Sequence, residues 1–345
     1  ADDICFFNGL GDAISKIYTY LRKETRVIGP SPAYSTHSSA EAAHSGSPHI
    51  TYNLLPEKNW LPDLNDLENK IKYNPAISGI LIINPDNPTG MVYPRKVLGQ
   101  IAALAKKYDL FLISDEVYCH IAHDTKKMAT LAEVIGDVPG IALKGISKEF
   151  PWPGSRCGWI EVYNKNKDEI FAKYIKSIID AKMMEVCSTT LPQTVIPAIM
   201  SDPRYESHLE ERRSFYKKRA EKAYKILKNV PGIISPKTAG AFYVSVVFKN
   251  GVLNLPAGQA GDRQKLEIKN AKVRKFIEEK TKNGMAPDKR FVYYLMGATG
   301  ICVVPLTGFN CNLLGFRATL LETDESKFEW IYKTIAGKIK EYLKS

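Results

Sequence analysis

Short apolar runs alternate with stretches of helical periodicity over the first half of the chain, up to about Tyr163. The run Ile80–Ile83 is apolar at every position, as expected for a strand that is covered on both faces of its sheet. Strands alternating with helices form βαβ units, so the pattern predicts a three-layer αβα fold with a mostly parallel central sheet. The seven runs are Ile4–Phe7, Arg26–Gly29, Ile50–Leu54, Gly79–Ile83, Leu110–Ile113, Gly140–Leu143 and Trp159–Val162, and the helical stretches include Gly11–Arg22, Leu64–Lys72 and Pro94–Lys107.

After Tyr163 the pattern changes to long helices followed by separated strands. We predict a large domain over residues 1–204 and a smaller α+β domain over residues 205–345. The stretch Asn250–Asp262 has no period and is predicted to be a loop. The predicted helices are Asp168–Met184, Tyr205–Asn229, Ala271–Lys282 and Glu325–Leu343, and the predicted strands are Ala241–Phe248, Phe291–Met296, Ile301–Val304 and Phe316–Leu320.

Composition excludes several classes of protein. The 345 residues are 44% hydrophobic and 25% charged, which is typical of a globular protein, and no apolar run is long enough to span a membrane. The net charge of +11 includes a basic run near Arg212 that is interleaved with glutamates, so a solvated helix face is expected rather than a nucleic-acid partner. The six cysteines are scattered and the six histidines lack metal-ligand spacing, which predicts reduced thiols, no metal site and a cytoplasmic location.

Four clusters of polar residues follow four of the predicted strands. In a parallel sheet the carboxyl ends of the strands meet at one edge, where ligands bind. The clusters should therefore lie together. They are Asn8-Gly9-Leu10-Gly11-Asp12, Asn84-Pro85-Asp86-Asn87-Pro88-Thr89-Gly90, Ser114-Asp115-Glu116-Val117-Tyr118 and Gly145-Ile146-Ser147-Lys148, the last followed by Arg156.

Each cluster alone has a plain structural explanation. The glycine turn before Asp12 can be only a tight turn, and it lacks the third glycine of a dinucleotide fingerprint. Asp115 can cap a helix, and Lys148 can be a surface lysine. The seven residues Asn84–Gly90 are the exception, because two Asn-Pro units and a Thr-Gly form a rigid and specific turn.

Together the clusters supply the groups that pyridoxal phosphate (PLP) requires. A lysine at a strand end can form a Schiff base with an aldehyde cofactor, and a carboxylate can keep a pyridine nitrogen protonated. Amides of a glycine turn at a helix N-terminus, together with an arginine, can hold a phosphate. Asn87 and Tyr118 can donate hydrogen bonds to a ring hydroxyl.

The chain resembles the fold-type I PLP-dependent aminotransferases of the aspartate/alanine group. The resemblance runs from about Phe6 to the C-terminus and is carried by NPDNPTG, SDEVY, and SK followed by GSRCGW. It implies that Lys148 is the Schiff-base lysine and proton shuttle, and that Arg317 in GFRATLLE binds the substrate carboxylate with Asn87. The implied cofactor-binding residues are Gly9, Leu10, Gly11, Tyr34, Asn87, Asp115, Tyr118, Ser147, Lys148 and Arg156, of which Asp115 and Tyr118 also take part in catalysis.

Two departures from the family pattern stand out. Relatives often carry a hydroxyl residue three positions before the lysine, where this chain has Gly145, and Ser147 is the candidate to replace it. Relatives also have an N-terminal segment ahead of the first strand, so the chain is expected to be N-terminally truncated. The six histidines are expected to have surface or packing roles, although His37 follows Tyr34 closely enough to approach the site.

The leading hypothesis is a PLP-dependent aminotransferase that acts on an amino acid and a 2-oxo acid by a ping-pong mechanism. A β-lyase or an amino-acid decarboxylase on the same fold is the first alternative, because pocket shape rather than these motifs selects the reaction. A non-catalytic regulatory or binding module is the second. By resemblance, a homodimer with the active site at its interface is expected.

Overall fold

The computed structural model describes residues 3–253, 264–282 and 284–345. The first half of the chain contributes one sheet of eight strands, in the order β1-β8-β7-β6-β5-β2-β3-β4. The strands are β1 (Ile4–Asn8), β2 (Arg26–Ser31), β3 (Thr51–Leu55), β4 (Leu61–Pro62), β5 (Ile77–Ile83), β6 (Phe111–Asp115), β7 (Gly140–Gly145) and β8 (Cys157–Tyr163).

The middle of this sheet is parallel, which confirms the prediction. The pairs β3–β2, β2–β5, β5–β6 and β6–β7 are parallel, whereas β8 pairs antiparallel with β7 and β1. In the register, Ile83 lies opposite Asp115, and Asp115 lies opposite Leu143. The carboxyl ends of β5, β6 and β7 are therefore level, and the segments that follow them leave the sheet side by side.

Helices cover both faces of the sheet. On β5, Ile80 and Ile82 pack on one face in a cluster with Ile101 of α4, while Leu81 and Ile83 pack on the other face against α1 and α5. Burial on both faces explains why Ile80–Ile83 has no polar position. The helices are α1 (Leu10–Thr19), α2 (Ser35–Ser45), α3 (Leu64–Lys72), α4 (Arg95–Lys107), α5 (Glu169–Met183), α6 (Thr190–Met200) and α7 (Tyr205–Leu227).

The C-terminal part of the chain forms a separate sheet of four antiparallel strands, in the order β11-β12-β10-β9. Its core also takes in residues from α7, such as Tyr216 and Leu227. The boundary at residues 204–205 stays a prediction. The elements are β9 (Ile233–Ile234), β10 (Tyr243–Phe248), α8 (Ala271–Lys280), α9 (Pro287–Thr299), β11 (Val304–Pro305), β12 (Gly315–Thr319) and α10 (Glu325–Tyr342).

One predicted strand is wrong. Phe291–Met296 lies inside helix α9, which begins at Pro287 and ends before Gly300 in the left-handed conformation. Its aromatic and β-branched residues favour a strand by composition, but proline at the start and glycine after the end fit a helix of 13 residues. The predicted strand Ile301–Val304 is also misplaced, because β11 begins only at Val304.

Two further expectations concern the loop and the membrane. Residues 254–262 of the predicted loop Asn250–Asp262 lie outside the described residues. Across the described ranges, no helix combines the length and the apolar character that crossing a bilayer demands.

Candidate active site

A cleft of about 330 Å³ opens at the carboxyl edge of β5, β6 and β7. It brings together every predicted site residue except Gly9, which lies directly behind Arg156. The residues that line it are Leu10, Gly11, Tyr34, Ile83, Asn87, Asp115, Val117, Tyr118, Ser147, Lys148, Pro153, Arg156, Tyr243 and Arg317.

Asp115, the last residue of β6, is buried and held at both carboxylate oxygens. The Val117 N–H donates to Oδ1 at 3.2 Å, and Nε2 of His37 lies 3.1 Å from Oδ2. A carboxylate only accepts, so Nε2–H of His37 donates to it, and Nδ1 lies 3.4 Å from the Tyr18 hydroxyl oxygen. The carboxylate is therefore fixed in orientation before any ligand binds.

Gly9, Arg156 and the first turn of α1 form a cradle for an anion. Gly9 has φ 80°, and a Cβ there would overlap the Arg156 guanidinium, 2.8 Å from its Cζ. Arg156 itself has φ 52°, and Nη1 donates to the Pro153 carbonyl at 2.9 Å. The N–H groups of Leu10 and Gly11 open helix α1, where no preceding turn can accept from them. Helix N-termini with a guanidinium suit phosphate.

Lys148 comes three residues after the end of β7 and lines the cleft. Its Nζ lies 5.9 Å from the centre of the Tyr118 ring and 6.0 Å from that of Phe242. Burial lowers the pKa of the amine, and the positive charges of Arg317 and Arg156 lower it further, against the opposing effect of Asp115. This environment raises the fraction of the uncharged amine, which is the nucleophilic form.

Helix α7 supports the lysine from behind. Arg212, which belongs to the basic run of the sequence, donates to the carbonyl oxygen of Lys148 at 3.0 Å and to the Tyr216 hydroxyl at 3.0 Å. His208 Nε2 lies 3.0 Å from the carbonyl oxygen of Glu149. The expectation of a solvated basic face is therefore wrong for Arg212, and also for Arg219, which is buried against α10.

Arg317 on β12 closes the opposite side of the cleft. Its Nη1 donates to Oδ1 of Asn87 at 2.9 Å, and its guanidinium lies between two rings, 4.5 Å from the centre of Tyr243 and 4.8 Å from that of Phe309. Nε of Arg317 is buried without a hydrogen-bond partner in the described part of the chain. A planar cation with an unused donor suits a carboxylate ligand.

Tyr118 and Tyr243 join the two sides of the cleft. Their hydroxyl oxygens lie 2.8 Å apart. Burial raises the pKa of both hydroxyls, so both stay protonated at neutral pH. One hydroxyl donates to the other, and the second proton remains available to a ligand.

The Asn84–Gly90 motif connects the large sheet to the small one. Asp86 accepts from the Thr89 N–H at 3.1 Å and from the Thr89 hydroxyl, and Ser245 of β10 donates to the Pro88 carbonyl at 2.7 Å. Gly90 has φ 69°, and its Cβ would lie 2.7 Å from the Tyr243 carbonyl oxygen. The turn is thus built for close contact with the strand that carries Tyr243.

The Gly145 departure has a packing reason. Gly145 pairs with Gly158 across β7 and β8, and a Cβ at Gly145 would lie 3.0 Å from the Cys157 carbonyl oxygen. A side chain at this position would therefore require the backbone of β8 to shift by a few tenths of an ångström. Ser147 lines the cleft, as the sequence predicts.

The residues fit PLP. The anion cradle would take the phosphate, and Asp115 would face the pyridine nitrogen. Lys148 would meet the aldehyde carbon. Tyr34, whose ring is partly exposed at the mouth of the cleft, would cover the ring face.

Sequence reasoning missed Tyr243, and for His37 it favoured a surface or packing role over an approach to the site. The structure buries His37 fully against Asp115. Its signal was its position three residues after Tyr34, at the start of a helix that turns it inward. Tyr243 lies in an apolar strand, and nothing in that pattern distinguishes a cleft residue from a core residue.

Comparison with known proteins points to one family. The family model for aminotransferase class I and II matches residues 1–328. An uncharacterized aminotransferase of Methanocaldococcus jannaschii is 59% identical over all of this chain, which spans 78% of that protein. The alanine aminotransferase of Mycobacterium tuberculosis is 29% identical over 243 residues, which are 70% of this chain and 56% of that protein. The match therefore spans less than two thirds of the mycobacterial enzyme.

Solved structures share the fold. An alanine aminotransferase from Pyrococcus furiosus superposes with a TM-score of 0.79 at 24% identity, over 99% of this chain and 76% of that one. A tyrosine aminotransferase from Leishmania infantum gives a TM-score of 0.81 at 17% identity, over 99% of this chain and 75% of that one. At these identities the likeness concerns the fold alone.

Proposed function

The chain belongs to the aminotransferase class I and II family of PLP-dependent enzymes, and we propose that its described cleft transfers an amino group between an amino acid and a 2-oxo acid. The observation that carries this proposal is that Lys148, Asp115, Arg156 and Arg317 line one cleft. When bound there, PLP would supply an aldehyde that bonds to amines and a ring that accepts electrons. The family match does not favour a β-lyase, a decarboxylase or a non-catalytic module.

Four groups of residues would hold the cofactor, each at a different part of it. Arg156 and the amides of Leu10 and Gly11 would bind its phosphate, with Gly9 leaving room for the guanidinium and Ser147 nearby. Asp115 would keep the pyridine nitrogen protonated, since His37 fixes the orientation of its carboxylate. Tyr118 and Asn87 would donate to the ring oxygen, and Tyr34 would stack on the ring.

Arg317 would bind the carboxylate that every amino acid and 2-oxo acid carries. The Nε atom that has no partner and the Nη1 atom on Asn87 support this role, because carboxylate binding would satisfy the first and keep the second in place. The two flanking rings restrict the guanidinium to one plane, which suits bidentate recognition.

Lys148 would carry the proton between the substrate Cα and the cofactor. It lies next to the groups that would bind substrate and cofactor, and its lowered pKa favours the neutral amine that accepts a proton. Arg212 holds the backbone of Lys148 from outside the cleft and so limits the positions that Nζ can reach.

We further propose that two copies of the chain pair beside the cleft in the cytoplasm. The segment from the end of α5 to the start of α6 exposes Met183, Met184, Val186 and Leu191. Thr189 in that segment donates to Oδ1 of Asn8, the residue before Gly9. An exposed apolar patch next to the anion cradle supports a dimer whose interface adjoins the site.

The test of the proposed function is a direct identification of the lysine that bonds to the cofactor. Protein loaded with PLP is reduced with borohydride, digested and analysed by mass spectrometry. A pyridoxyl label on Lys148 is expected, together with its absence from Lys148→Ala and loss of amino transfer in that variant. A label on another lysine with none on Lys148 would contradict the proposal. A panel of amino donors with pyruvate and 2-oxoglutarate then identifies the substrates.

A further inference from the structure

A cluster of metal-ligating side chains lies outside the cleft, on the segments that follow β6 and β7. Cys119 and His120 follow Tyr118 in a short turn, and Glu149 follows Lys148. The Cys119 Sγ, one His120 ring nitrogen and one Glu149 carboxylate oxygen all lie within 4.8 Å of one another. Nε2 of His120 is 3.5 Å from Oε2 of Glu149. None of the three lines the cleft.

We propose that Cys119, His120 and Glu149 form a binding site for a thiophilic divalent cation of the zinc class. Thiolate, imidazole and carboxylate are the three ligand types of protein zinc sites, with Zn–S about 2.3 Å and Zn–N and Zn–O about 2.0–2.2 Å. Two ligand atoms of a tetrahedral ion at those lengths lie roughly 3.3–3.8 Å apart, so side-chain adjustments of about 1 Å complete the site.

Two buried polar groups at the cluster, the Glu149 carboxylate and the Tyr205 hydroxyl, lack hydrogen-bond donors or acceptors from the described residues other than His120. Glu149 is buried, and no hydrogen bond reaches its carboxylate from the described residues apart from the His120 contact. The Tyr205 hydroxyl is likewise buried without a partner in the described part of the chain. The Tyr205 ring centre lies 5.4 Å from that of Phe150, the residue after Glu149. After burial itself, the carboxyl of Glu149 and the thiol of Cys119 are the groups that most raise the pKa of Tyr205. A water molecule on a bound cation would satisfy that hydroxyl.

A cation can reach the cluster from solvent, and the positive side chains near the cluster are neutralised by carboxylates. The His120 side chain is 43% exposed, so a cation can reach the ring from solvent. Two basic side chains face the cluster, but both are already paired with carboxylates, and Glu206 adds a negative charge next to His120. Cys119 and Glu149 would give up their protons to water as the cation binds. The two ion-pair sets are Lys144 with Glu116 and Glu161, and Arg213 with Glu210.

This proposal departs from the sequence-based expectation of no metal site. That expectation used ligand spacing along the chain, which places Glu149 far from Cys119. The fold joins them because β6 and β7 are neighbours, and the residues after both strands lie side by side. Soft ligands disfavour Mg²⁺ and Ca²⁺, which prefer all-oxygen sites.

The experiment measures zinc binding by the PLP-loaded protein and needs no turnover, so its result is independent of the proposed function. After chelator treatment and gel filtration, the protein is titrated with ZnCl₂ by calorimetry, and bound zinc is counted by elemental mass spectrometry. The wild type is expected to bind one zinc per chain at this site. The double variant Cys119→Ser/His120→Ala and the single variant Glu149→Gln should bind it at least about tenfold more weakly.

The control is Cys302→Ser/His44→Ala, which removes the same two residue types from other parts of the chain and should bind zinc as the wild type does. Excess Mg²⁺ or Ca²⁺ should not displace the zinc. Circular dichroism verifies that each variant is folded. A wild type that takes up no zinc, or a folded Cys119→Ser/His120→Ala variant with unchanged affinity, would overturn the proposal.

Discussion

The imidazole of His37 lies 3.1 Å from the carboxylate of Asp115, and both side chains are buried at the base of the cleft. His37 stands in the first turn of α2, and Tyr34 immediately precedes that helix. One segment thus supplies both the aromatic ring at the mouth of the cleft and the partner that orients Asp115. This relationship makes His37 a positioning residue for the cofactor.

Replacement of His37 should weaken cofactor binding. His37→Asn is too short to reach Asp115, so the Kd for PLP is expected to rise about tenfold, which corresponds to the loss of one hydrogen bond to a charged group. Fluorescence titration of the folded apoprotein with PLP measures this. His37→Gln, which can still donate to Asp115, should recover part of the affinity. Equal Kd values for His37→Asn and the wild type would show that the contact does not matter for binding.

Gly9→Ala should damage the anion cradle. The new Cβ would displace the Arg156 guanidinium, so the PLP affinity is expected to fall by about tenfold or more through loss of a charge-assisted contact. Gly46→Ala is the matched control, because Gly46 also has positive φ, 66°, but has open space where its Cβ would stand. It should cost about 1 kcal/mol in stability without changing the PLP affinity. Similar losses of affinity in both variants would mean that backbone strain, not the clash, is responsible.

Tyr243 has two roles: its hydroxyl hydrogen-bonds with Tyr118, and its ring packs against Arg317. Tyr243→Phe should remove the first and keep the second. The variant loses the hydrogen bond to Tyr118 but keeps the ring under Arg317. We expect kcat to fall roughly fivefold, the equivalent of one neutral hydrogen bond, with little change in the KM of the amino acid. Tyr243→Leu, which also removes the ring, should raise that KM. A rise in KM with unchanged kcat for Tyr243→Phe would reverse the assignment.

His49 should make the fold sensitive to acid. Its Nε2–H donates to the Val27 carbonyl at 3.0 Å, its Nδ1 accepts from the Ser38 hydroxyl at 3.2 Å, and burial lowers its pKa to about 4. Between its ordinary pKa of 6.5 and about 4, the unfolded chain takes up a proton at this histidine and the folded chain does not. Stability is therefore fully present above pH 6.5 and falls as the pH drops through that window, by up to about 1.4 kcal/mol per pH unit for this group.

His49→Gln removes that titration, so its unfolding free energy should depend less steeply on pH. Urea denaturation of variant and wild type between pH 4.5 and 8 measures the difference. The two curves should run parallel above pH 6.5, which serves as the internal control. Parallel curves over the whole range would refute the prediction.

A charge on the exposed segment from the end of α5 to the start of α6 should dissociate the proposed dimer. Val186 and Leu191 are 86% and 67% exposed in the single chain. Burial of a glutamate in an apolar interface costs several kcal/mol, so Leu191→Glu should shift sedimentation from dimer to monomer at micromolar concentration. Phe276→Glu places the same charge on an exposed site of α8 and should leave the dimer intact. A wild-type chain that sediments as a monomer would contradict the proposed pairing.

The architecture and most of the site could be read from local pattern. Apolar runs such as Ile80–Ile83 predict strands covered on both faces, and parallel strands bring the residues after them to one edge. That rule brings the clusters of Asp115, Lys148 and Asn87 to this edge, and the chemistry of PLP together with the family resemblance singles out these three residues within them. The resemblance to the family then supplied Arg317, which lies on a different sheet and could not be placed by strand ends.

Other parts were decided only by tertiary structure. His37, Tyr243 and the cluster of Cys119, His120 and Glu149 owe their roles to neighbours that are distant in sequence. Periodicity along a chain indicates which side of a helix or strand is buried. It does not indicate which side chain of another element a buried side chain will contact. The sequence alone therefore determined the sheet and its edge, whereas the pairing of side chains across elements depended on how those elements pack.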